Sequence, residues 1–324
     1  MNLKRVSFLS LVLTGSMIAT SLSSSAFAAE SKILEVNKTK TAVQLISNVV
    51  YDQPALAMSS HSLLRMDILK PDSKGPLPTV VFVTGGGFVS ANKDSYLQQR
   101  MALAEAGYIV ASIEYRVVPD VTFPAPLEDV KSAIRFLRAN ADRYGVDKEH
   151  IAVMGESAGG YLAAMTGTTN GLKEFDKGDH LDQSSSVQAA IDIYGLSDLT
   201  KVGEGFSQEV QEKHKSPSAT EALWVNGTAV FGRGGSILDH PEAAAAANPI
   251  SYVTKDDPPF LIMHGDQDTL VSPNQTEILH NALVEKGVDS TRYVVKGAAH
   301  GGDYWLQPEV TQVMIDFLNK HFKK

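Results

Sequence analysis

The chain has 324 residues, 43% of them hydrophobic and 20% charged, with a formal net charge of −8. That length and apolar share suit one large globular domain or two small ones, and the acidic balance argues against nucleic acid as a partner, because phosphate binding needs a basic face. With no cysteine present, a disulfide framework, a thiolate zinc site and an acylated lipoprotein cysteine are excluded.

In chain order, the first stretch reads as an export signal. "MNLKR" is a basic start, "VSFLSLVLTGSMIA" an apolar run, and "AFA" at 26–28 supplies small residues for a cut after Ala28. The run is broken by Thr14, Gly15 and Ser16 and falls short of the ~20 residues a membrane span needs. No stable membrane anchor is expected, and residues 29–324 are expected to be secreted, extracellular or periplasmic. A domain of that size builds its core without disulfides.

From Ser31 onward there is no repeat and no linker that would divide the chain. "LLRMDILKP" (63–71) alternates apolar and polar like a half-buried strand, and "PTVVFV" (78–83) is a continuous apolar run suited to a strand covered on both faces. "YLQQRMALAEAG" predicts a helix ending at Gly107, and "YIVASIEY" (108–115) the next strand. "PLEDVKSAIRFLRANADRYG" puts Leu127, Val130, Ile134 and Leu137 on one helical stripe. Further strands are expected at "HIAVM" (150–154), "AAIDIY" (189–194), "PFLIMH" (259–264) and "TRYVVK" (291–296). "SPNQTEILHNALVEKG" offers Ser272 as N-cap and Pro273 at the first helical position, and "VTQVMIDFLNKHF" closes the chain with Val310, Val313, Met314 and Phe317 on one face. Strands alternating with helices predict an α/β fold with a mainly parallel sheet covered on both sides. Residues 196–248 break the rhythm; they read either as a small insertion over the C-terminal edge of the sheet, near a ligand crevice, or as a loose surface excursion.

"GESAGG" (155–160) lies between the apolar strand "HIAVM" and the helical "YLAAM". In a sharp strand-to-helix turn the flanking Gly155 and Gly159 remove side chains that would clash, leaving Ser157 exposed at a helix N-terminus. A serine hydroxyl needs a base to take its proton and a carboxylate to orient that base, in the chain order Ser, Asp or Glu, His for this scaffold. Asp266 and Asp268 follow the strand "PFLIMH", and His300 follows "TRYVVK", at the strand ends where a parallel sheet gathers functional groups. Asp266 comes immediately after Gly265 and suits bracing the turn; Asp268 lies further out and is the expected partner. His264 also ends a strand, but it precedes the aspartates, the wrong order. "TGGGF" (84–88) places glycine amides after the strand "PTVVFV", where Gly86 and Gly87 would form an oxyanion hole with the amide of Ala158. It lacks the G-x-G-x-x-G spacing of a dinucleotide site, and no metal-ligand cluster is apparent. Phe88, Trp224, Tyr304 and Trp305 are candidates for lining a substrate pocket, and each fits core packing equally well.

Together with "EYRVVPDVTFPAPLEDVKSAIRFLRANADRYGVDKEHIAVMGESAGGYLAA", "VQAAIDIYGLSDL" and "PPFLIMHGDQDTLVSPNQTEILHNALVEKGV…GAAHGG", these motifs resemble an α/β-hydrolase fold esterase. The chain is similar to the hormone-sensitive-lipase-like carboxylesterases, and especially to the bacterial acetyl/feruloyl esterase-like (BD-FAE) group, over most of residues 60 to 320. The resemblance implies a single catalytic domain, no cofactor, and ester hydrolysis through an acyl-enzyme, with Ser157, Asp268 and His300 as triad and Gly86, Gly87 and Ala158 as oxyanion hole. One departure stands out: Thr84 occupies the position before the three glycines where the family usually has His, which bears on the shape of that loop. The expected substrate is a short-chain acyl ester, small or linked to polysaccharide, with acetyl and feruloyl groups as candidates. The competing readings are a serine peptidase of prolyl-oligopeptidase type and an inactive hydrolase-fold binding module.

Overall fold

The computed structural model describes residues 31–55 and 61–322, so the expected export signal at 1–28 lies outside the described residues. The chain divides into two units, residues 1–39 and residues 40–324. Residues 31–39 carry no helix or strand.

The second unit is built on an eight-stranded sheet: β1 (Val43–Asp52), β2 (Leu64–Pro71), β3 (Leu77–Val83), β4 (Ile109–Ile113), β5 (Val146–Glu156), β6 (Ala189–Ile193), β7 (Phe260–Gly265) and β8 (Ser290–Val295). Their order across the sheet is β1-β2-β4-β3-β5-β6-β7-β8. β1 and β2 pair antiparallel, β2 pairs antiparallel with β4, and every other pair is parallel. The helices are α1 (Leu97–Glu105), α2 (Ala125–Ala139), α3 (Ala141–Tyr144), α4 (Ala158–Thr168), α5 (Gln208–His214), α6 (Thr220–Asn226), α7 (Pro241–Ala246), α8 (Asn274–Glu285) and α9 (Pro308–Phe322).

The side-chain alternation of the strands divides the core in two. Val81 and Val83 of β3 and Ile151 and Val153 of β5 face the layer holding α2, α4 and α8. Val80 and Phe82, with Ala152 and Met154, face α1 and α9, whose Leu103, Met314 and Leu318 close the second layer. Burial on both faces is why these strands read as unbroken apolar runs.

Three boundaries differ from the sequence reading. The helix expected over 126–145 breaks at Asn140, whose side-chain amide turns back onto the Phe136 carbonyl. α8 begins one residue late, with Pro273 in the cap position, although Ser272 Oγ still accepts the Asn274 N–H at 3.3 Å. The edge strand β1 was not expected at all. Its ladder is interrupted by bulges, and Asn48 takes a left-handed φ of 56° while giving its N–H to Asp67 Oδ1, so no period-two pattern survives. Residues 196–248 form α5, α6 and α7, and Leu199, Ala222, Trp224, Ile237 and Ala244 are buried in the core. The segment, which connects β6 to β7 in the chain, is anchored on the core through these residues and is not a loose excursion.

Candidate active site

The parallel strands deliver the expected residues to their C-terminal ends. β5 stops at Glu156 and α4 starts at Ala158, leaving Ser157 alone in the turn at φ 56° and ψ −121°. A non-glycine residue adopts such angles only when its surroundings over-determine them. Here the Ser157 N–H donates to Ile193 O at 2.9 Å and the Ser157 carbonyl accepts the Tyr161 N–H at 2.9 Å. A side chain on Gly155 would run into the backbone of Gly159 and Val83, and one on Gly159 into Val83 and Thr84. The two glycines therefore set how closely α4 approaches β3 and β5.

His300 Nε2 lies 2.8 Å from Ser157 Oγ, and His300 Nδ1 lies 2.7 Å from Asp268 Oδ2. Those separations allow the hydroxyl to donate to Nε2 and Nδ1–H to donate to the carboxylate. Asp268 is buried, and its Oδ1 accepts the amides of Leu270 at 2.8 Å and Val271 at 3.0 Å. Burial pushes its carboxyl up, but hydrogen bonds from His264 and His300, the charge of His300 and the Val271 amide outweigh it and hold the group well below the usual carboxylate range. Asp266 takes a different place: its Oδ1 accepts the Gly297 N–H at 2.7 Å, tying the acid loop to the loop that carries His300.

The "TGGGF" loop sits against this arrangement. A Cβ at Gly85 would lie 3.2 Å from Ser157 Cβ. Gly86 has φ 153°, and its carbonyl accepts the amides of Val89 and Ser90 at 3.1 Å, which folds the loop back on itself. Among the described residues the amides of Gly86 and Gly87 have no acceptor. Ala158, in the first turn of α4, has no acceptor within its helix. Thr84 is fully buried; its carbonyl accepts the Tyr115 hydroxyl at 2.8 Å, while its own Oγ1 has no partner among the described residues.

The four aromatic candidates separate. Phe88 and Trp224 are buried and pack on each other with ring centroids 4.4 Å apart, and Phe88 meets Tyr161 edge-on at 5.4 Å. Trp305 is buried against Tyr194 and donates Nε1–H to Ala299 O at 3.0 Å. These three are packed beside the "TGGGF" loop and the loop that carries His300. Only Tyr304 is exposed. An open groove of about 890 Å³ is lined by the 119–125 loop and by Val225–Thr228 and Phe231–Arg233. Its walls are tied to the loop: Val118 N–H donates to Phe88 O at 3.1 Å and Phe123 N–H to Trp224 O at 2.8 Å.

Two residues beside the site were missed. His264 is fully buried with Nε2 3.0 Å from Asp268 Oδ2. Tyr194 stacks on His300 with centroids 4.7 Å apart and donates its hydroxyl to Glu156. The sequence signal for His264 was its place at a strand end four residues before Asp268; expected chain order set it aside.

A mostly parallel sheet with a strained serine at a strand–helix elbow, facing a histidine–carboxylate pair, is the architecture of the α/β-hydrolase fold. The sequence model of the BD-FAE family matches residues 66–283, more than half of the chain, and the chain belongs to that family. Esterase LipC of Mycobacterium tuberculosis is 33% identical over 230 residues, 70% of this chain and 54% of LipC. The chain spans about half the length of the curated relatives it matches. A truncated carbohydrate esterase from gut microbiota superposes with a TM-score of 0.76 at 28% identity, covering 89% of this chain and 99% of that one. A bifunctional GH43-CE protein of Bacteroides eggerthii gives 0.73 at 29% identity over 86% of this chain and 38% of its own. Among the described residues no helix is long and apolar enough to cross a membrane.

Proposed function

We propose that this protein is a secreted serine carboxylic-ester hydrolase that removes short acyl groups, acetyl or feruloyl, from polysaccharide. The observation that carries the chemistry is the chain of contacts from Ser157 Oγ through His300 to Asp268, at 2.8 and 2.7 Å. His300 Nε2 takes the hydroxyl proton as Oγ bonds to the ester carbonyl carbon. The carbonyl oxygen becomes an oxyanion and accepts from the free amides of Gly86, Gly87 and Ala158. Collapse breaks the bond to the alcohol oxygen, His300 returns the proton to it, and the acyl group stays on Ser157. A water molecule, giving its proton to His300, repeats the sequence on the acyl-enzyme, releasing the acid and restoring the serine. Asp268, kept ionised, holds the His300 tautomer and stabilises the imidazolium that forms twice per turnover.

Export rests on the basic, apolar and small-residue pattern of residues 1–28. Polymers that carry acyl decorations lie outside a cell, and the carbohydrate esterase with which the fold superposes supports the same substrate class. The open groove, tied to Phe88 of the glycine loop through the neighbouring Val118 amide, carries exposed Phe231 and the charged Arg233, Asp120 and Glu128, groups that can meet a sugar chain. The test is hydrolysis of p-nitrophenyl acetate, methyl ferulate and acetylated xylan by purified protein. Release of acetate from both the small ester and the polymer is expected; no turnover of any of the three overturns the proposal.

A further inference from the structure

Asp268 accepts four N–H groups, which fills the lone-pair directions of a carboxylate. Two come from the backbone onto Oδ1 and two from imidazoles onto Oδ2: His300, and His264 at the end of β7. His264 has no exposed surface and no contact with Ser157. Its protonation is fixed on one side by the geometry. Nε2 lies 3.0 Å from Asp268 Oδ2 and 3.1 Å from Val271 O, both acceptors, so this nitrogen carries a proton.

On the other side, Nδ1 faces Thr276 Oγ1 at 2.9 Å. That hydroxyl oxygen accepts Arg292 Nε–H at 3.2 Å and lies 3.1 Å from Pro273 O, which also accepts Arg292 Nη2–H at 3.0 Å. Thr276 Oγ1 thus links His264 Nδ1 to the Arg292 guanidinium and to the Pro273 carbonyl, to which its hydroxyl donates. Arg292 of β8 stands behind the ring; Glu277 of α8, 4.0 Å from Arg292, is a mostly exposed counter-charge.

We infer that His264 is a positioning residue for the reaction: its Nε2–H fixes the Asp268 carboxylate and limits how much negative charge Oδ2 directs at His300. This rests on the reading of Ser157, His300 and Asp268 as the triad. The consequence follows from competition for one oxygen. While His264 draws on Oδ2, that oxygen stabilises the His300 imidazolium less than a carboxylate free of the second donor would. Loss of the donor leaves Asp268 held less firmly, by the two backbone amides and His300 alone, and makes His300 more basic. An outer partner of a reacting group commonly contributes about 10- to 100-fold.

The experiment compares wild type with His264→Leu, which removes the donor, and His264→Gln, whose amide presents an N–H near the same point. Readouts are kcat and KM on p-nitrophenyl acetate, thermal melting, and the His300 titration followed by NMR, which needs no turnover. For His264→Leu we expect kcat down at least about tenfold with KM within twofold, and the His300 midpoint moved to higher pH. His264→Gln is expected to recover kcat to within about threefold of wild type and to return the midpoint. Wild-type kcat and midpoint in His264→Leu, or equal impairment of both variants with an unmoved midpoint, overturns the inference. If His264→Leu does not fold, Thr276→Val removes the hydroxyl behind Nδ1 and takes its place, with the kcat loss and the midpoint shift as support and neither as refutation. Failure of the triad reading looks different: the wild type itself would neither turn over esters nor show His300 coupled to Asp268.

Discussion

Replacing Gly155 by alanine inserts one methyl group at the narrowest point of the elbow. The new Cβ would lie 2.8 Å from the Val83 carbonyl oxygen and closer still to the backbone of Gly159. Ordinary contact begins near 3.5 Å, so β5 and α4 must separate by on the order of 1 Å. No flexible side chain is available to yield, because every atom met is backbone. Since Ser157 is suspended between these two elements, its Oγ moves away from His300 Nε2, now at 2.8 Å. A misplacement of about 1 Å costs on the order of 100-fold in rate, and overpacking costs about 1–3 kcal/mol in stability. The control is Gly171→Ala, where φ is positive at 76°, unlike at Gly155, and nothing lies within 4 Å of the new methyl. There the backbone strain alone, about 1–2 kcal/mol, is expected, with kcat unchanged. Steady-state kinetics and thermal melts of both variants decide the matter: Gly155→Ala with wild-type kcat would refute the argument that backbone approach at the elbow places the serine.

The two acid-loop aspartates should behave differently: Asp268→Asn is expected to lower kcat by about 10⁴-fold through the wrong histidine tautomer, whereas Asp266→Asn, touching only Gly297 N–H and Gln267, should stay within about tenfold. Parallel kinetics on one ester check the pair. Glu156 supplies a pH effect on stability. Burial, against the hydrogen bond from Tyr194, raises its carboxyl from 4.5 to about 7. The unfolded chain therefore ionises first, and the folded state loses up to about 3 kcal/mol as pH rises from about 4.5 to about 7. Glu156→Gln should flatten the fall in melting temperature over that window, measured by calorimetry at pH 5 and pH 8. Trp224→Ala removes the ring on which Phe88 packs; a loss of about 3–5 kcal/mol is expected in denaturant unfolding.

The sheet was legible because strands buried on both faces announce themselves as apolar runs. The groups at the site were legible because their loops leave directly from those strands. β1 was hidden by its bulges, which leave only Tyr51 buried in a ten-residue strand. The aromatics were ambiguous for a different reason. Nothing local to Trp224 says that Phe88, 136 positions earlier, will pack on it; that contact exists only after α6 is laid against the "TGGGF" loop. His264 was set aside by chain order, a rule about which histidine takes the serine's proton and silent about a second one behind the carboxylate. In the 196–248 segment, polar and glycine-rich composition masked a few buried anchors.

Labelling with a fluorophosphonate, read by intact mass and peptide mapping, tests the central claim most directly, since the reagent bonds only to a serine whose proton a neighbouring base removes. One adduct per chain at Ser157 is expected, lost in Ser157→Ala together with at least about 10⁴-fold of the esterase rate. Absence of labelling, an adduct on another residue, or a Ser157→Ala variant within tenfold of the wild-type rate would contradict the account.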